Sequence, residues 1–222
     1  FHRGNNMILS VSRRTDIPNY YSDWFFERIK EGYILVRNPF NMHQLYKISL
    51  SPEVIDCIVF WTKNPLPMMS RLNDLDKYKY YFQFTLTGYG KDIEPNVPHK
   101  KDVMIPVFIE LSKRIGKERV IWRYDPILVN DKYTVEYHEK AFGQIAERLY
   151  PYTNKVVISF IDLYAKTKRN TNGLSIEEIN PDIIFDIAGR LSKIAKEYNL
   201  VIQSCAEKFD LLQFGIKHGS CI

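Results

Sequence analysis

Six short apolar runs recur along this chain of 222 residues, and each is followed by polar residues: Met7–Val11, Cys57–Trp61, Tyr80–Phe84, Val120–Trp122, Val156–Phe160 and Leu200–Ile202. They are β-branched or aromatic and alternate only lightly. Strands covered on both faces in a parallel sheet read this way. Helical patterns separate them. Ser22–Glu31 opens on Ser22 as a cap and stops at Gly32. Lys101–Ile115 stops at Gly116, Thr134–Leu149 ends before Pro151, and Pro181–Tyr198 follows Asn180 as a cap. Shorter helices are expected over Pro67–Leu75 and Lys208–Phe214.

This alternation implies right-handed βα units and a parallel sheet. A full eight-unit barrel needs about 250 residues, so six units in this length predict a partial TIM-like (β/α)6 barrel. A doubly wound open sheet is the alternative. Tyr33–Arg37 and Gln44–Leu50 break the rhythm, and Asn38-Pro-Phe-Asn41 between them supplies turn residues. A β-hairpin inserted near residues 33–50 follows. The length suits one domain over 7–222. Met7 reads as the natural start, with residues 1–6 a cloning remnant or a leader.

Hydrophobic residues at 45% and charged residues at 26% are globular values. The formal charge of +5 allows anionic partners. The basic clusters Lys166-Thr-Lys-Arg169 and Lys100-Lys101 read as solvated loops. Three cysteines, Cys57, Cys205 and Cys221, are too few for a disulfide framework and suggest a reducing cytoplasm. No apolar run is long enough to span a bilayer, so no membrane partner is expected.

Side chains at the carboxyl ends of parallel strands converge on one crevice. Every predicted strand exit here carries polar groups. They are Arg13, Arg14 and Asp16; Thr62, Lys63 and Asn64; Gln83 and Thr85; Arg123 and Asp125; Ser159 and Asp162; Cys205 and Glu207. The arginines suit a phosphate or carboxylate held by two prongs. Lys63, Asp125 and Glu207 are the candidate catalytic groups, as acids, bases or a nucleophile. Lys63 follows Phe60-Trp61-Thr62, an apolar setting expected to lower its pKa. The other exit residues are expected to bind a small polar or anionic molecule. Each also has a plainer reading, in which arginines and aspartates pair with one another on a rim.

A hard cation held by Asp16, Asp125 and Glu207 stays open. The five histidines, His2, His43, His99, His138 and His218, read as surface residues rather than ligands. No phosphate-binding glycine loop and no nucleophile elbow occur.

The strings Leu9-Ser-Val-Ser-Arg-Arg-Thr-Asp-Ile-Pro18, Phe60-Trp-Thr-Lys-Asn-Pro65, Gln83-Phe-Thr-Leu-Thr-Gly-Tyr-Gly90, Trp122-Arg-Tyr-Asp-Pro-Ile127, Ile158-Ser-Phe-Ile-Asp162 and Ser204-Cys-Ala-Glu207 occur in this order. Together they resemble a bacterial family of unknown function. Its full-length members carry a C-terminal cysteine cluster similar to the iron–sulfur motif of radical S-adenosylmethionine enzymes. The resemblance covers nearly all of residues 7–222 and implies a partial barrel of six βα units. It also implies a [4Fe–4S] cluster and S-adenosylmethionine, with the cluster's cysteines beyond Ile222. The residues by themselves support no cofactor.

Three functions follow: an enzyme of the radical S-adenosylmethionine kind, a metal-dependent barrel hydrolase or isomerase without a cluster, and a nucleic-acid-binding or repair protein. The last has no recognised motif to support it. Oligomeric state is not legible.

Overall fold

The computed structural model describes residues 7–11, 15–38, 40–41, 43–161, 179–205 and 209–219. It resolves into two compact units, Phe1–Gln83 and Phe84–Ile222, with the boundary inside a strand.

The first unit holds β1 (Met7–Val11), α1 (Ile17–Tyr20), α2 (Ser22–Glu31), the hairpin strands β2 (Tyr33–Arg37) and β3 (Leu45–Ser49), β4 (Ile55–Thr62), a 3₁₀ helix (Leu66–Leu75) and the start of β5 (Tyr80–Thr85). β1 pairs parallel with β4, and the strand order is β1-β4-β5. The aromatic residues of β4, β5 and α2 explain the packing. Phe60 stacks on Phe82 at 4.8 Å and meets Phe25 of α2 edge-on at 5.3 Å. Helix α2 runs over the expected residues, with Tyr21 rather than Ser22 at its cap position. Gly32, at φ 78°, ends it in the left-handed conformation that glycine adopts without penalty.

The second unit takes in the end of β5, a π turn (Lys100–Met104) leading into α3 (Ile105–Ile115), β6 (Val120–Ile127), α4 (Val135–Leu149), β7 (Lys155–Phe160), α5 (Pro181–Glu197), β8 (Val201–Cys205), a 3₁₀ turn (Leu212–Phe214) and β9 (Lys217–Gly219). Its strand order is β5-β6-β7-β8-β9, and the pairs from β6 to β9 are parallel. Thr134 and Asn180 cap α4 and α5 through their side-chain oxygens, as their sequence positions predict.

In each unit the strands follow chain order without reversal. That is the topology of a partial TIM-like α/β barrel, whereas a doubly wound sheet needs a switch in direction. Two corrections follow. β9 is a seventh parallel strand, of three residues, too short and too polar to show as an apolar run. The strands also extend past their apolar runs, because backbone pairing does not depend on side-chain polarity. Thr62, Thr85, Arg123, Asp125 and Cys205 therefore lie within strands rather than after them. Among the described residues no helix is long and apolar enough to cross a membrane.

Candidate functional site

In β6 side chains alternate between two faces. Trp122 and Tyr124 point to α4, where Phe142 stacks on Trp122 at 4.7 Å and meets Tyr124 at 5.2 Å. Arg123 and Asp125 must point the other way. Register extends this face across the second unit. Arg123 sits opposite Val157, and Val157 opposite Gln203, so Ser159, Gln203 and Cys205 share the face with Arg123 and Asp125. In β5, Phe84 packs on Phe108 of α3 at 5.1 Å, which turns Thr85 away from that helix. The second unit thus has one sheet face that is apolar and covered by helices and one that is polar.

The centre of the polar face is the Arg123–Asp125 pair. The Arg123 Nε donates to both Asp125 oxygens at 3.0 Å, and a guanidinium NH₂ also donates to Asp125 Oδ2. Arg123 is only 5% exposed. Ser159 Oγ lies 3.5 Å from the same Oδ2. The β6–β7 register shifts between Tyr124 and Ile127, where Pro126 has no N–H to donate. That irregularity falls at Asp125 and sets its aim. Ions this far from water are costly unless paired, and the bidentate fork meets that cost.

The polar residues of the first unit form a different arrangement. Asp16 caps α1 by accepting from the Asn19 N–H at 3.0 Å, and its other oxygen accepts from the Lys63 N–H at 2.7 Å. The Thr62 hydroxyl donates to the same carboxylate, and burial still pushes the Asp16 pKa above its ordinary value. The Asn64 N–H donates to Thr62 Oγ1 at 2.9 Å, and Asn64 Nδ2 donates to Asn19 Oδ1 at 2.9 Å. Asp16, Thr62 and Asn64 therefore tie the start of α1 to the end of β4. Lys63 contributes its backbone to that tie, and its side chain is partly exposed. Gln83 is buried on β5, on the face opposite Phe82.

Arg13, Arg14, Asp162 and Glu207 lie outside the described residues. Among the described residues no three His, Cys, Asp or Glu side chains are grouped to hold a metal. The oxygens of Asp16 accept from protein donors, and Asp125 faces a guanidinium, so neither carboxylate is set out for a cation. Cys205 is disulfide-bonded rather than a free thiol, and Cys57 is free. A count cannot show which sulfurs the fold brings within bonding distance.

Two arrangements were missed in the sequence. Lys100 is not a solvated loop cation. Its ammonium pairs with the buried Glu94 and donates to Thr87 Oγ1 at 3.2 Å, while the Thr87 hydroxyl donates to Glu94 at 2.8 Å. This network borders a groove of about 380 Å³ between the Thr87–Gly88 turn, α3 and α4. His138 is likewise buried, not on the surface. Its partners are Tyr124 and the Leu128 carbonyl. For Lys100 the only signal was a threonine, a glutamate and a lysine close in sequence around a Thr-Gly-Tyr-Gly turn. For His138 it was a place on the apolar stripe of α4 beside Phe142 and Ile145.

The fold and the polar strand ends define an α/β protein of parallel βα units with a buried charged pair on the sheet face turned away from α4. The chain belongs to the family described as "Domain of unknown function (DUF1848)", whose model matches residues 8–222. No curated protein matches the sequence significantly. Among solved structures, a putative alpha-L-fucosidase from Bacteroides thetaiotaomicron is similar at a TM-score of 0.38 and 13% identity, over 93% of this chain and 76% of that chain. That likeness is too weak to carry chemistry.

Proposed function

We propose that this chain is an enzyme that binds a small polar or anionic molecule over the polar sheet face of its second unit, at the carboxyl ends of β6, β7 and β8. The observation that carries this reading is the buried Arg123–Asp125 pair, with Ser159 beside it on the neighbouring strand. A charged pair withdrawn from water is expensive, and such pairs collect at sites where a ligand exploits them. A phosphate or carboxylate would take the guanidinium in place of Asp125. The displaced carboxylate would then stand next to the ligand as a base, with the Ser159 hydroxyl in reach to orient it.

The resemblance extends this reading to a [4Fe–4S] cluster and S-adenosylmethionine. The resemblance puts the cluster's cysteines beyond Ile222, and the described residues supply no set of three thiolates for it. Three thiolates are needed to hold it. Cys205 is disulfide-bonded and Cys57 lies in β4 of the other unit. No step is assigned to the cluster, and the chemistry proposed rests on Arg123, Asp125 and Ser159.

The test is a thermal-shift and calorimetric screen of sugar phosphates, nucleotides, dicarboxylates and S-adenosylmethionine. One class should raise Tm, as any ligand selective for the folded state does. Ser159→Ala should weaken that ligand by about tenfold or less, the worth of one neutral hydrogen bond, with Tm of the free protein unchanged. Binding that Ser159→Ala, Asp125→Asn and Arg123→Gln all leave intact would place the ligand elsewhere and overturn the reading.

A further inference from the structure

The hairpin β2–β3 belongs to the first unit and has an uncommon surface. Five of its apolar side chains stand in water: Leu35, Val36, Phe40, Leu45 and Tyr46, with Phe40 at 97% exposure. No aspartate or glutamate occurs between Glu31 and Glu53. Antiparallel register sets Leu35 opposite Lys47 and Arg37 opposite Leu45, so both cations share one face with Leu35, Leu45 and Tyr33. Lys47 stands 4.0 Å from the centre of the Tyr33 ring. The opposite face carries the half-buried Ile34 and Ile48. Val36 and Tyr46 on that face are exposed as well, and on the basic face Leu35, Arg37, Leu45 and Lys47 are all exposed.

The tip is preorganised. Asn38 Oδ1 accepts from the Phe40 N–H at 2.9 Å, Asn38 Nδ2 donates to Gln44 Oε1 at 2.8 Å, and the Gln44 N–H donates to the Asn41 carbonyl at 3.0 Å. These bonds hold the backbone that carries Phe40 into solvent, so presenting the ring to a partner loses little further entropy.

We propose that this hairpin is a docking surface for single-stranded nucleic acid, with a base stacked on Phe40 and phosphates paired to Arg37 and Lys47. Charge complementarity identifies the occupant, since a carboxylate-free ribbon with two cations on one face suits a polyanion. Exposed aromatics between cations are how strands are held without regard to sequence. The side-chain N–H groups of Asn41 and Gln44, whose oxygens accept from the His43 N–H and from Asn38, can bond base edges. A membrane-inserting tip would have to desolvate those N–H groups without partners, which is unfavourable in hydrocarbon.

The experiment is fluorescence anisotropy of the 222-residue chain with labelled oligothymidylate across a range of salt. The wild type should bind, with log K falling linearly in log salt. Phe40→Ala should weaken binding about 5- to 100-fold, the loss of one base–aromatic stack. Arg37→Gln with Lys47→Gln should flatten the salt slope by roughly 1.4, about 0.7 for each phosphate contact. All three positions are exposed, so Tm should stay within about 1 °C of wild type, and a circular dichroism melt checks this. Ser159→Ala should bind the oligonucleotide unchanged, which separates this surface from the strand-end site. No oligonucleotide binding, unchanged binding by Phe40→Ala, or partition of the wild type to phosphatidylserine vesicles in preference to DNA would each overturn the proposal.

Discussion

His138 shows how much one buried residue can hide from the sequence. Its Nε2 faces the Leu128 carbonyl at 2.7 Å, and a carbonyl can only accept, so Nε2 carries the proton. Its Nδ1 then accepts from the Tyr124 hydroxyl at 3.0 Å. The ring is neutral in the fold, and burial holds its pKa below the ordinary histidine value. The linkage has a definite sign. The unfolded chain protonates this histidine near pH 6.5, while the folded chain resists until a lower pH. The neutral ring's stabilisation is therefore complete above about pH 6.5 and declines as pH falls below it. Urea unfolding from pH 8 to 5 should show this decline. His138→Phe should lower stability by about 1–3 kcal/mol at pH 8, because two buried partners lose their bonds. It should also remove the His138 part of the acid decline, and a variant with the wild-type pH slope would show that the histidine is not the titrating group. Residue 138 lies on the apolar stripe of α4 with Phe142 and Ile145. Its type suggested the surface, and only the Leu128 and Tyr124 partners explain why it is inside.

At the scale of elements, Asp16 joins two of them, the start of α1 and the end of β4. The Asp-Ile-Pro string marks a helix start, and α1 begins there. A carboxylate at a strand exit also invites a reading as a ligand. The structure gives its oxygens to the Asn19 and Lys63 N–H groups. Asp16→Ala should cost about 1–2 kcal/mol from the lost cap, with a further loss from the stranded Lys63 N–H. The reading is a fall in Tm, and a variant as stable as wild type would refute the tie between α1 and β4. The inserted hairpin was legible, because two β-branched runs flank turn residues. β9 was not, because Lys217-His-Gly219 has no apolar run and is a strand only through its pairing with β8.

Across the whole molecule, the thiols decide which cofactor chemistry this chain can support unaided. It has three cysteines, and Cys205 is disulfide-bonded while Cys57 is free. Anaerobic incubation with ferrous iron and sulfide, without a disulfide reductant, should leave this chain without the broad visible absorption of a cluster. A persistent band with four irons per chain would show that the thiols are available and that these residues hold a cluster unaided.

What the sequence determined by itself was the rhythm. Apolar runs separated by amphipathic, capped helices bury their surfaces as parallel βα units; once β6 runs on through Asp125, period-2 parity sets Arg123 and Asp125 on one side with Trp122 and Tyr124 on the other. Which neighbours join that side is a matter of register. Register comes from backbone pairing between strands more than thirty residues apart, so only the tertiary structure could set Ser159 beside the Arg123–Asp125 pair and Gln203 on the same face one strand further. It likewise took Asp16 away for capping and drew Lys100 in to meet Glu94. Local pattern reports how a segment is packed, and the partners of a polar side chain are chosen by contacts the pattern does not contain.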